Sequence, residues 1–152
     1  MSAAVMIEQR TELSFRQLVK SLPAFSLNSL VCNQGRKMKK TSSPVVLIDD
    51  DPAFRTLGKY LVSKAMPEAE LVVCETLMSA ARYLPSACAV IVDWRLEDMT
   101  AGESGIIKML TKNRIPFFVW TAESFLELDC DVVAKGDNDI FKDTLKKIIP
   151  SK

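Results

Sequence analysis

Four short apolar runs in this chain each stop at a polar or charged residue, and this pattern constrains the fold more than any other feature. Val45–Ile48 ends in Asp49, Asp50 and Asp51; Cys88–Val92 stops at Asp93; Pro116–Trp120 stops at Thr121; Asp131–Ala134 stops at Lys135. Runs of this length, rich in β-branched residues and without alternation, are strands buried on both faces. A fifth strand is predicted over 70–74. Between the strands the apolar spacing turns helical. Phe54, Leu57, Leu61 and Val62 follow Pro52, which suits a first helical position. Further helices are predicted over 76–84, over 104–112 with Ile106, Ile107 and Leu110 on one face, and over 139–149 with Ile140, Phe141, Leu145 and Ile148 facing inward. Repeated strand–helix units of this kind predict an α/β three-layer sandwich around a five-stranded parallel, doubly wound sheet. Right-handed crossovers bring every strand's carboxyl end to one edge, where ligands of such sheets bind. The polar strand ends therefore converge on one crevice.

Composition narrows the chemistry available there. The 152 residues include no histidine and four cysteines, at 32, 74, 88 and 130, without a CxxC pair. That excludes Ser-His and Cys-His catalysis and argues against a zinc site. Three of the cysteines lie in apolar runs and read as buried, reduced thiols of a cytoplasmic protein. Residues 1–43 carry seven Lys/Arg against two Asp/Glu, whereas the remainder carries 13 against 17. An acidic body with a basic leader is not the footprint of a nucleic-acid binder. No apolar run approaches the ~18 residues of a membrane helix, and charges appear too early for a signal peptide.

The chain divides near residue 43. Residues 12–22 suit a short amphipathic helix ended by Pro23, and 33–43 is a polar, basic linker. Met38, followed by Lys-Lys-Thr-Ser-Ser-Pro and then a strand, also looks like a natural start of translation. Residues 1–43 thus read as an N-terminal extension, a disordered tail or a mis-called start, and 44–152 as the folded domain.

Several carboxylates at one edge raise each other's pKa unless a cation relieves the repulsion. An all-oxygen donor set without histidine or thiolate favours Mg2+, which binds through few carboxylates plus a phosphate. A carboxylate can itself act as nucleophile and form an aspartyl phosphate. A lysine and a hydroxyl would hold the remaining phosphoryl oxygens. Each residue type at the strand ends has a task in phosphoryl transfer to an aspartate.

Val-Leu-Ile-Asp49-Asp50-Asp51-Pro, Val-Ile-Val-Asp93-Trp-Arg, Phe-Val-Trp-Thr121-Ala-Glu123 and Val-Val-Ala-Lys135, in this order, resemble the CheY-like receiver family of response regulators. The resemblance covers about residues 44–149 and implies flavodoxin-like (CheY-like) topology. It implies that Asp93 is the phosphoacceptor and that Asp49, Asp50, Asp93 and the backbone carbonyl of Arg95 hold Mg2+. Thr121 would be the switch hydroxyl and Lys135 its lysine partner. Arg95 and Glu123, each two residues beyond a site residue, would modulate the lifetime of the acyl phosphate. The chain departs from the family in four places. Gly136 follows the lysine where proline is usual; the turn after Asp93 reads Leu96-Glu97-Asp98-Met99-Thr100-Ala101-Gly102; Val132 stands where an aromatic switch residue is expected. Only fourteen positions separate Thr121 from Lys135, so the fourth helix is short or missing. This short form, with Pro116-Phe117-Phe118-Val119-Trp120-Thr121, is similar to an alphaproteobacterial single-domain subgroup.

The resemblance further implies a single-domain response regulator that is not an enzyme beyond slow autodephosphorylation. A histidine kinase or histidine phosphotransfer protein would supply the phosphoryl group, and a downstream protein would receive the signal. Neither nucleic-acid contact nor membrane insertion is expected, and a phosphorylation-dependent dimer stays open. Two alternatives stand beside this reading: a pseudo-receiver adaptor that works without phosphorylation, and a small HAD-like phosphatase suggested by Asp49-x-Asp51. Plainer roles also exist. Asp51 fits the N-cap of the first helix better than a metal ligand. Trp94 and Trp120 suit packing at least as well as recognition, and Lys142, Lys146 and Lys147 suit a solvated helix face.

Overall fold

The computed structural model describes residues 43–97, 99–123 and 126–149. The predictions made for the leader, including the helix over 12–22, the linker and Cys32, lie outside these residues. Five strands form one sheet: β1 (Val45–Ile48), β2 (Leu71–Cys74), β3 (Ala89–Asp93), β4 (Phe117–Thr121) and β5 (Val132–Ala134). Their spatial order is β2-β1-β3-β4-β5, and every adjacent pair is parallel. This is the doubly wound arrangement expected from the sequence.

The side-chain period of two sorts the strand residues between two cores. Val46, Ile48, Val90, Val92 and Val119 pack on one face with Leu77, Ala80, Ile106 and Leu110. Val45, Leu47, Ile91, Phe118, Trp120 and Val133 pack on the other with Leu61, Val62, Phe141 and Leu145. The helical residues of the first set belong to α2 (Leu77–Ala80) and α4 (Ile106–Lys112), joined by Ala101 of α3 (Ala101–Ser104). Those of the second belong to α1 (Pro52–Ala65) and α5 (Asn138–Ile148). With both faces covered, β1 and β3 are buried along their whole length.

The helices depart from expectation where backbone chemistry intervenes. The helix predicted over 76–84 is only one turn, opened by a Thr76–Ser79 capping box, and the chain then enters a 3₁₀ turn at Leu84–Ser86. Pro85 lacks the N–H and disfavours helical geometry in the residue before it, so an α-helix cannot run through. The helix predicted over 104–112 starts only at Ile106, because Gly105 adopts φ +80° and divides α3 from α4. Ile140, predicted to face inward, is 54% exposed, while Phe141 and Leu145 carry the buried stripe of α5. Between β4 and β5 no helix occurs among the described residues, in keeping with the short connection. Cys74 is buried, whereas Cys88 and Cys130 are half-buried.

Close packing of α1 on the sheet depends on Gly58. A Cβ there would lie 2.5 Å from Leu47 Cδ2 and 3.3 Å from Trp120 Cζ3, and both side chains are fully buried. Overpacking of this kind costs more than the helix propensity that alanine gains. Gly58→Ala is therefore expected to lower stability by about 1 kcal/mol in urea unfolding; equal or greater stability would contradict this packing.

Candidate functional site

The carboxyl ends of β1 and β3 lie side by side at the point where the strand order reverses, so Asp49 and Asp93 become neighbours. Both are buried, at 0% and 6% exposure. Asp50 follows directly. Carboxylate oxygens of Asp49, Asp50 and Asp93 come within 4.8 Å of one another. From β5, Lys135 reaches across with a side chain only 4% exposed. Its Nζ lies 2.8 Å from Asp49 Oδ2 and 3.0 Å from Asp93 Oδ2. Its backbone N–H donates to the Thr121 carbonyl at 2.6 Å, which ties the end of β5 to the end of β4. Gly136 follows with φ +121°, a conformation that glycine tolerates and other residues rarely adopt.

The acidic loop is held by its own chain. The Asp51 backbone N–H donates to Asp49 Oδ1 at 2.9 Å. The Asp51 side chain accepts from Ala53 N at 2.7 Å, capping α1 as its position suggested. This carboxylate serves the helix rather than the cluster. Arg55, one turn into α1, donates to the carbonyls of Asp49 at 2.9 Å and Asp50 at 2.7 Å, and lies 3.8 Å from Glu75 at the end of β2. Sequence reasoning missed Arg55. An arginine one turn beyond an acidic strand end, where carbonyls lack ladder partners, was the available signal.

After Trp94 the chain forms a small antiparallel ribbon, Arg95–Leu96 against Met99–Thr100. Glu97 at its tip adopts φ 56°, and its N–H donates to Asp50 Oδ2 at 3.0 Å. Arg95 Nε donates to Glu123 Oε1, joining the segments that follow β3 and β4. Thr121 is buried, and its Oγ1 accepts from Glu123 N at 3.0 Å. The strand-end residues singled out from the sequence thus meet at one edge, and Arg95 and Glu123 pair above them. Trp94 is half-buried with its ring over Gly102, and Trp120 lies in the core. Of the lysine stripe on α5, Lys142 pairs with Asp139 and Lys147 with Asp131.

Electrostatically the cluster lacks positive charge. Burial pushes the Asp93 carboxyl up to about 6, although the hydrogen bond and charge of Lys135 and the Arg95 N–H draw it down. Burial also raises Asp49, against the pull of Lys135 and the Asp51 N–H. Asp49 Oδ2 is a buried oxygen with no aligned hydrogen-bond donor; the Lys135 ammonium neighbours it as a charge, not along a hydrogen-bond axis. Three carboxylates within reach of one point, sharing one ammonium, and an all-oxygen donor set fit a hard divalent cation such as Mg2+.

No family model matches the chain, and no curated protein matches it. Its fold is nevertheless that of response regulator receiver domains. A receiver domain protein of Bacillus halodurans shares 18% identity at a TM-score of 0.58, over 71% of this chain and 97% of that one. TrrA of Thermotoga maritima, solved in complex with Mg2+ and BeF, shares 21% at 0.58, over 70% and 98%. The receiver domain of a putative Luxo repressor protein from Vibrio parahaemolyticus shares 22% at 0.58, over 70% and 89%. The chain has the receiver, CheY-like fold. Among its described residues, no helix is long and apolar enough to cross a membrane.

The raised Asp93 carboxyl has a sign that can be measured. Its folded pKa of about 6 lies above the ordinary carboxyl value, so the folded state holds this proton more tightly than the unfolded chain. The stabilisation is fully present below about pH 4 and is lost as pH rises through 6. Metal-free Asp93→Asn is expected to be more stable than wild type at pH 7 by about 2 kcal/mol. That advantage should vanish toward pH 4 in urea titrations; a pH-independent difference would contradict the assignment.

Proposed function

We propose that this chain is a receiver of a two-component phosphorelay, taking a phosphoryl group on Asp93 from a phosphohistidine of a histidine kinase or phosphotransfer protein. The observation that carries the proposal is the placement of buried Asp93 within ion-pair distance of Lys135 and within 4.8 Å of the Asp49 and Asp50 carboxylates. A carboxylate oxygen of Asp93 attacks phosphorus and the P–N bond to the donor histidine breaks. The electron pair leaves with the imidazole, which takes up a proton. The 152 residues contain no histidine that could serve as that donor.

Each neighbouring group has a place in this chemistry. Mg2+ would be held by Asp49, Asp50 and Asp93 with the backbone carbonyl of Arg95, and when bound it neutralises charge on the transferring group. Lys135 turns its ammonium from the carboxylates toward a phosphoryl oxygen. Thr121, one residue beyond the Trp120 that pairs with Asp93 across β3 and β4, offers its hydroxyl to another. The Arg95–Glu123 pair covers the route of an attacking water and sets the lifetime of the acyl phosphate. The protein accepts and slowly loses the phosphoryl group and is not otherwise an enzyme. Signalling passes to a downstream protein by contact. The HAD-like alternative finds no support in Asp51, whose carboxylate caps α1.

Incubation with Mg2+ and beryllofluoride, or with a small phosphodonor, is expected to give stoichiometric modification of wild type and none of Asp93→Asn. Continuous turnover would point to a phosphatase, and absence of any binding to an adaptor that works without phosphorylation. Arg95→Ala and Glu123→Ala are each expected to speed dephosphorylation by up to about fivefold, the range of an exposed ion pair. Unchanged decay in both variants would remove the pair from the mechanism.

A further inference from the structure

Two carboxylates account for only part of the surroundings of the Lys135 ammonium. Two aromatic rings account for another part. Nζ lies 4.0 Å from the centroid of the Phe54 ring and 5.5 Å from that of Trp120. Both distances fall within the ~6 Å over which the negative face of a ring attracts a cation, and the attraction grows when water is excluded. Water is excluded here, since the lysine side chain is 4% exposed.

The rings are themselves fixed. Phe54 stands edge-on to Trp120 at 5.7 Å and 82°, and Trp120 stands edge-on to Phe141 at 4.9 Å. Phe54 lies in the first turn of α1, anchored by the Asp51 cap. Neither ring offers a hydrogen-bond acceptor of the ordinary kind. They attract the ammonium without tying it to one direction.

We propose that Phe54 and Trp120 are positioning residues forming an aromatic seat for Lys135. The seat keeps the ammonium at the crevice while its partners change from the Asp49 and Asp93 carboxylates to the phosphoryl group on Asp93. The proposal rests on the reading of Asp93 as phosphoacceptor. It also explains how the lysine is steered in this chain. The backbone before the side chain is tied through Lys135 N to Thr121 O, but the chain beyond it continues into glycine at φ +121°. No ring stiffens that side of the loop, and the rings of α1 and β4 guide the side chain instead.

The test uses the full chain and needs no variant for its first arm. In the nuclear magnetic resonance spectrum of wild type, the Lys135 ε-methylene protons are expected upfield of the other lysines, displaced by ring currents. Phe54→Leu, which keeps apolar bulk without a ring face, should reduce that displacement and weaken binding of beryllofluoride with Mg2+ by roughly tenfold. Phe54→Tyr should restore both, and the affinity for Mg2+ alone should stay within about twofold in all three proteins. An ordinary ε-methylene position in wild type overturns the seat whatever the variants do. If Phe54→Leu does not fold, Phe54→Met, which also lacks a ring face, takes its place in the binding arm. Beryllofluoride binding by the folded variant equal to wild type overturns the positioning role alone, leaving the phosphoacceptor reading intact. Failure of wild type to bind beryllofluoride at all overturns both.

Discussion

Lys135 places one ammonium between two carboxylates that the fold has taken out of water. Moving charged groups into a protein interior is costly unless they are paired, and removing one partner leaves the other exposed to the full penalty. The pairing is incomplete here. Asp49 and Asp93 remain shifted upward in spite of Lys135, and Asp49 Oδ2 lacks an aligned donor. The site therefore has a built-in preference for further positive charge, and its oxygen-only lining decides which kind. The sheet order serves this arrangement: β1 and β3 are adjacent, β4 lies next, and β5 brings the lysine from beyond it.

The surrounding loops keep the charges in place with little use of regular structure. Arg55 collects the two carbonyls that β1 leaves without ladder partners, and Asp51 satisfies the first amides of α1. The ribbon after β3 reaches back through Glu97 N–H to Asp50. The start of α1 and the ribbon after β3 thus restrain three consecutive aspartates. Neighbouring carboxylates repel, so a loop that carries them must be held from outside.

Much of this was legible in the sequence, and for a physical reason. An apolar run that stops at Asp49, Asp93, Thr121 or Lys135 signals both a buried strand and the edge where it surfaces, so fold and site were encoded in the same residues. Helices were less legible. The spacing around Ser104 continues smoothly through Gly105, and only the left-handed conformation of that residue reveals the break. Ile140 matches a helical period yet lies outside the buried arc set by Phe141 and Leu145. Phe54 was read as one of several core residues on α1. Periodicity assigns a residue to a face, but which member of that face adjoins a charged group depends on how helix and sheet are packed. Arg55 escaped notice for a related reason, since its hydrogen-bond partners are the Asp49 and Asp50 carbonyls and only its place one turn beyond the acidic strand end points to them.

Gly136 bears on how this loop relates to the more usual one. Proline holds φ near −65°, whereas Gly136 sits at +121°. The two backbones are separate routes past the same lysine, and no single substitution converts one into the other without rebuilding the turn. Asp137 N–H, which donates to the Ala134 carbonyl at 3.1 Å, closes the turn on its present path. The absent proline is thus a fork in sequence space: a chain on this branch changes its loop by altering neighbours in concert, and its single-step variants stay among residues that accept a left-handed backbone.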